Sequence, residues 1–298
     1  MLKRLCCICY NVDMKYNVAK DIKIVSTILG LSLSQLAEEL HVSRSTVTRI
    51  VNNATYPSDL FLENFYSFAY NNKIKPIRLN ELKIRYATEK YDKILFHGAR
   101  GVIEDRVDFQ HSRRDIDVGT GFYLGESFEQ ASSYIFPHTK SSVYLFDTKM
   151  LSQLNIKEFD LSLEWMLMVC YYRGQIDEYK DSPLIKKIIN EVEQNDVIIA
   201  PIADNNMYEI MNRFARGDIT DLQATSALSA SHLGKQHVLK TQRECYCISM
   251  VDRLYICNEE RQDIEKQRRQ SAEMAKVESK RSIEELRRKG RYIDELLK

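Results

Sequence analysis

In the stretch GTGFYLGESFEQASSYIF, residues 119–136, three of the chain's ten glycines stand beside two tyrosines and three phenylalanines. Tyr123 follows Gly121 inside a strand-like apolar run, and Tyr134 comes eleven residues later, beyond the helix-like SFEQASS. If that helix packs back over the strand, the two rings face each other across a slot one aromatic ring thick, a shape that receives a flat ligand. Upstream, LFHGAR ends a short apolar run at His97, and Gly98 has no side chain to keep a ligand from its backbone N–H and C=O. The glycines at 119, 121 and 125 have the spacing G-x-G-x-x-x-G with a strand inside it. A dinucleotide loop needs G-x-G-x-x-G between a strand and a helix, so that reading is set aside.

A second set of polar residues stands near the amino end, in LSLSQLAEELHVSRSTVTRIVNN. Ser34 can cap a short helix carrying Leu36, Ala37 and Leu40, residues 41–43 make a tight turn, and Ser43 or Arg44 starts a second helix carrying Val47, Ile50 and Val51. Ala37 is the small residue that two steeply crossing helices need where they approach. The second helix then offers Arg44, Ser45, Thr46, Thr48, Arg49 and Asn52 outward, a set able to bond phosphates and base edges. Over about 50 residues this stretch resembles the small repressor-type helix-turn-helix domains of phage and bacterial regulators, with His41 where many such turns have glycine. Residues 1–90 carry 13 basic and 8 acidic side chains, a balance that favours DNA over a purely structural docking module.

The elements that must hold the middle residues are legible as runs. An amphipathic helix from Ala19 closes at Gly30 and precedes the helix-turn-helix, and FLENFYSFAYNN closes that unit. KILFHGAR, TGFYLG, SSVYLFD, NDVIIAPIA and KQHVLKT read as strands, with helices expected at 161–172, 182–193, 206–216 and 218–230. Strands and helices mix without regular alternation, which argues for an α+β domain rather than a doubly wound sheet.

In that order (strand-His-Gly, then G-x-G-x-Y with a second Tyr eleven residues on, then a late KQHV strand) residues 93–241 resemble the ADP-ribosyltransferase fold of the poly(ADP-ribose) polymerase and diphtheria-toxin type. LFHGAR, GFYLGESFEQA, DVIIAPIADN and KQHVLKT are similar to a bacterial branch of that superfamily found beside toxin-antitoxin-like partners. The resemblance implies NAD as substrate. His97 would bond a ribose hydroxyl, Gly98 would clamp the carboxamide through its backbone, Tyr123 and Tyr134 would sandwich the nicotinamide, and Gln236 falls where the best-known members carry a catalytic glutamate. A glutamine can bond the ribose 2′-hydroxyl but brings no charge to an oxocarbenium-like transition state. Either the enzyme works without that charge, or another carboxylate such as Glu244 or Asp204 supplies it. Arg113 and Arg114 are candidates for the pyrophosphate.

The expected architecture is therefore α+β. A small helical helix-turn-helix domain (1–90, core about 19–73) precedes an ADP-ribosyltransferase-like mixed sheet domain (91–257) and a charged carboxyl-terminal helix (258–298). The implied function is transfer of ADP-ribose to a protein, DNA or RNA acceptor with nicotinamide release, as a toxin or phage-defence effector with an antitoxin partner. An NAD- or ADP-ribose-sensing regulator and an NAD glycohydrolase are the competing readings.

Lysine plus arginine (43) nearly balance aspartate plus glutamate (42), so no global field singles out a partner. Seven cysteines, among them Cys6, Cys7 and Cys9, make no zinc-type spacing, so no metal is expected, and reduced thiols fit a cytoplasmic protein. The amino end has no cleavage site of the signal-peptide kind, Met14 is a possible start, and no run is apolar enough for a membrane helix. In the tail, Ile283, Leu286, Ile293 and Leu297 form a thin apolar seam that could dock a partner or a second copy.

Overall fold

The computed structural model describes residues 15–72, 78–103, 107–112, 116–231 and 233–298. Cys6, Cys7, Cys9, Met14, Arg113 and Arg114 lie outside the described residues. Helices α1 (Val18–Leu29), α2 (Leu33–Glu39), α3 (Arg44–Val51), α4 (Asp59–Asn71) and α5 (Leu79–Lys90) come first, followed by β1 (Ile94–Ala99), β2 (Phe122–Gly125) and α6 (Phe128–Ser133). Then come β3 (Ser142–Asp147), β4 (Ile156–Glu158), α7 (Leu163–Tyr172), α8 (Pro183–Glu193), β5 (Val197–Pro201) and α9 (Asn205–Ala215). The chain closes with α10 (Asp221–Leu228), β6 (Lys235–Leu239), α11 (Gln242–Cys245), β7 (Ser249–Tyr255), α12 (Asn258–Glu285) and α13 (Ile293–Leu297). This is the mixed α+β class expected, with the five foreseen strands present as β1, β2, β3, β5 and β6.

These elements gather into two compact units whose limits differ from breaks at 90 and 257. One holds α1 to α5, β1, β3, β7 and the start of α12; the other holds β2, β4 to β6, α7 to α11, the rest of α12 and α13.

In the first unit the helix-turn-helix closes through its caps. Gly30 takes a left-handed conformation (φ 67°), and its N–H reaches back to the Ser26 and Thr27 carbonyls. The cap of α2 is Ser32 rather than Ser34. A capping box needs a glutamine or glutamate three residues on; Ser32 has Gln35, and Ser34 has Ala37. His41 sits at φ 52°, the conformation for which glycine is the usual choice, and an L side chain there is disfavoured by roughly 1 kcal/mol. Two backbone bonds hold the turn, His41 N–H to Glu38 O at 3.0 Å and Val42 N–H to Ala37 O at 2.9 Å. Ser43 then caps α3 by accepting from the Thr46 N–H at 3.1 Å.

Val25, Leu36, Ala37, Leu40, Val47, Ile50 and Phe65 form one buried cluster, which also takes in Cys257 and packs against Tyr255 of β7. Strand β3 pairs antiparallel with β1 on one side and with β7 on the other. Strand β7 and helix α5 were not foreseen. SMVDRLY hides its buried face because Arg253 is one of the inward residues, 7% exposed. Its guanidinium donates to Ser142 Oγ at 3.0 and 2.9 Å and lies 4.0 Å from the centre of the Tyr16 ring. Helix α5 buries Lys83 against Asp21 (3.0 Å) and Asp252 (3.2 Å). Burial alone would lower the pKa of that ammonium; the two carboxylates outweigh it and hold it raised.

In the second unit β4 pairs parallel with β5, and β5, β6 and β2 continue antiparallel. Helices α7 to α10 cover one face, around a cluster that includes Trp165, Met166, Ile198, Met211, Phe214 and Val238. Ile283, Ile293 and Leu297 are buried in this same cluster, and Leu286 is half-buried. The expected self-association seam is thus corrected: its apolar side chains are consumed by the chain's own core. The tail is two helices, broken where Arg288 and Gly290 adopt positive φ.

Candidate functional site

Strand β2 is short, and the loop before it, residues 116–121, is what its neighbours hold. Register sets Tyr123 opposite Val238 and Gly125 opposite Gln236, so Tyr123 and Gln236 project on the same face of the β2–β6 pair. On β5, Ile198 and Ala200 share that face, opposite Val238 and Gln236. It is the face covered by the helical layer: Tyr123 packs on its rim with Tyr172 and Tyr208.

The loop is tied at three successive residues. The Tyr123 hydroxyl donates to Gly119 O at 2.6 Å and accepts from the Val118 N–H at 3.2 Å. Burial, and then the charge of Asp117, push that phenol above its ordinary range. Lys240 donates to Val118 O; its ammonium, pulled out of water, has its pKa lowered to about 8.

Asp117 is the centre of the arrangement, 5% exposed. Its Oδ1 accepts from the Tyr208 hydroxyl at 2.8 Å and from Arg173 Nη1 at 3.4 Å, and its Oδ2 accepts from Gln236 Nε2 at 3.1 Å. Arg173 also lies over the Tyr208 ring, 3.6 Å from its centre. Burial raises the Asp117 pKa, and the bonds from Tyr208 and Gln236 and the charge of Arg173 oppose it. Gln236, 7% exposed, donates a second time to Pro201 O at 3.2 Å.

Sequence reasoning missed Asp117. The signal lay in IDVGTGFY, an acid two residues before the glycine pair, but nothing in spacing alone says that it meets residue 236. The two carboxylates it did name are engaged as helix caps. Asp204 caps α9, accepting from the Met207 N–H at 2.8 Å, and Glu244 closes a capping box with Thr241 at the start of α11.

The glycines expected to clear space for a flat ligand are each required by internal packing. A Cβ on Gly119, which has φ 70°, would stand 2.7 Å from the Tyr172 ring, and one on Gly121 would meet Val238 Cγ1 at 2.5 Å and Leu239 O at 2.8 Å. A Cβ on Gly98 would run into the Ala131 carbonyl oxygen and come 3.1 Å from Ile135 Cγ2.

His97, Gly98 and Tyr134 belong to the other unit. His97 is half-buried on β1, opposite Tyr144 of β3. Through Gly98 the end of β1 sits against the turn that carries Tyr134, which is 46% exposed. His237, beside Gln236 but on the opposite face, is buried and meets Glu126 Oε1 at 3.2 Å.

On α3, Arg44, Ser45 and Arg49 are exposed, as is Asn52 beyond its end, and Thr46 and Thr48 are half-exposed. The predicted polar face is therefore presented outward, with Val47, Ile50 and Val51 turned into the core. Ser43 Oγ also bonds the Ser45 and Thr46 hydroxyls, both at 2.8 Å, which fixes the first turn of that face.

Among the described residues no group of three His, Cys, Asp or Glu side chains could hold a metal ion, and no helix is long and apolar enough to cross a membrane.

Helix order, caps and the outward polar α3 define a helix-turn-helix, a DNA-binding module, followed by a mixed α+β domain. Residues 28–64 match the family model described as Helix-turn-helix. The chain belongs to the family described as Protein of unknown function (DUF3990), whose model matches residues 93–250. No curated protein and no solved structure matches the chain.

Proposed function

We propose that the protein is an NAD-dependent ADP-ribosyltransferase that acts on a macromolecule, as a toxin or defence effector, with its helix-turn-helix bringing it to DNA. The observation that carries this reading is the register that sets Tyr123 and Gln236 on one face with the Gln236 amide fixed by Asp117 and Pro201. In the reaction the C1′–N bond of the nicotinamide riboside breaks, its electron pair leaves with nicotinamide, and the acceptor's nucleophilic atom bonds C1′ and loses its proton to solvent. Tyr123 supplies an aromatic face, Gln236 an acceptor for a ribose hydroxyl, and His97, Gly98 and Tyr134 keep the roles that the sequence resemblance implies.

One observation favours a second reading, a regulator that senses NAD or ADP-ribose: residue 236 is an amide and carries no charge of its own. Labelled NAD incubated with the protein and a cell lysate separates the two. Nicotinamide release with label in a protein, DNA or RNA fraction supports transfer, and release without label supports hydrolysis. Binding without release leaves the sensor. His97→Ala and Tyr123→Ala are each expected to abolish release in a protein that still melts cooperatively; full activity in both would overturn the assignment.

A further inference from the structure

We infer that Asp117 is a positioning residue that turns the Gln236 amide so that Oε1 faces bound substrate as a hydrogen-bond acceptor, with a fixed negative charge one hydrogen bond behind it. The inference rests on the ADP-ribosyl reading and accounts for a glutamine at a position where a carboxylate is expected.

The geometry decides which way the amide points. Gln236 Nε2 stands 3.1 Å from Asp117 Oδ2 and 3.2 Å from Pro201 O. A carboxylate and a peptide carbonyl can only accept, so both amide hydrogens are used inward and the nitrogen cannot be exchanged for the oxygen. Among the described residues Oε1 has no hydrogen-bond partner, and Gln236 keeps 7% of its surface exposed. A hydroxyl donating to that oxygen, such as a ribose 2′-OH, completes the amide.

Asp117 is itself unable to turn. Tyr208 and Arg173 both donate to Oδ1, and the Arg173 guanidinium, which can only donate, requires an acceptor there. The adjoining backbone is pinned by the Tyr123 hydroxyl at Val118 and Gly119. Withdrawn from water, a charge one bond behind the amide acts through a low dielectric and polarises the amide toward a more negative Oε1. That is the electrostatic contribution a glutamate would make directly, placed one residue back.

Substitution makes opposite predictions for positioning and for mere packing. In Asp117→Asn the side-chain oxygen stays with Arg173, which has no acceptor to offer an amide nitrogen, so Nδ2 faces residue 236, the Gln236 amide reverses, and a donor replaces the acceptor. In the full-length protein, D117N is expected to lower kcat for nicotinamide release roughly a hundredfold, with KM for NAD moving less than about threefold. The double variant D117N/Q236E restores an outward acceptor, held from behind by the Nδ2 of the substituted side chain, and is expected to recover at least about tenfold of that loss.

Q236E alone sets two carboxylates against each other. They must share a proton, so nicotinamide release gains a rise with pH that the wild-type protein lacks. This profile reads the contact even if D117N fails to fold, which thermal melting reports. Wild-type kcat in D117N, a double variant no better than D117N, or a Q236E profile identical to wild type overturns the inference while leaving the enzyme reading in place. A wild-type protein that neither binds NAD nor releases nicotinamide overturns both.

Discussion

Glu260 shows how burial alone sets a measurable property. It is 6% exposed, accepts from Asn80 Nδ2 at 3.0 Å, and its carboxyl is pushed up to about 7 by burial, against the pull of Asn80, Arg78 and Arg261. A folded-state pKa above the ordinary carboxylate range means that the folded protein binds the proton more tightly than the unfolded chain. The stabilising contribution is therefore complete below about pH 4.5 and is lost as pH rises through about 7, a change on the order of 3 kcal/mol at most. Urea denaturation at pH 5 and pH 8 is expected to show a smaller difference in Glu260→Gln than in the wild-type protein. Equal slopes in the two proteins would mean that Glu260 stays ionised in the fold.

At the scale of the element, α3 is the clearest agreement between pattern and structure. Eight residues are enough because Ser43 caps the first turn while Val47, Ile50 and Val51 anchor one side. The opposite side is left to Arg44, Ser45, Thr48 and Arg49. Arg44→Ala and Arg49→Ala, measured by fluorescence anisotropy on duplex DNA across a salt series, are each expected to weaken binding and to lower the salt-dependence slope by about 1. A slope unchanged in both would place the DNA contact elsewhere. Strand β7 is the contrary case. A buried arginine has no place in an alternating apolar pattern, and it is partners far off in sequence, among them Ser142 and the Tyr16 ring, 111 and 237 residues away, that make Arg253 acceptable inside the fold.

At the scale of the molecule, helices α1 to α5 share one compact unit with β1, β3 and β7. Tyr16 bonds Ser142 at 2.6 Å, Tyr66 stacks on Tyr255 with ring centres 4.7 Å apart, and Asn80 donates to Tyr255 O at 2.8 Å. Tyr255 in turn donates to Glu63 at 2.8 Å, and Lys83 pairs with Asp252. Deleting residues 1–90 uncovers Tyr255 and leaves Asp252 and Arg253 without these partners. The 91–298 fragment is expected to lose its near-ultraviolet circular dichroism and to elute as aggregate. A monomeric fragment with a cooperative melt would show that the break at residue 90 is a true domain boundary.

The sequence by itself determined what depends on local periodicity and local caps. The α+β class, the two helices of the helix-turn-helix, five strands and the outward face of α3 all follow from residues within a few positions of one another. The tertiary structure decided what depends on distant partners. It sent Ile283, Ile293 and Leu297 into the chain's own core, drew β7 against β3, and set Asp117 against a glutamine 119 residues later. A buried charge is stable only where a partner meets it, and that partner is chosen by the fold rather than by spacing along the chain. Asp117 was for that reason the functional candidate that the sequence did not disclose.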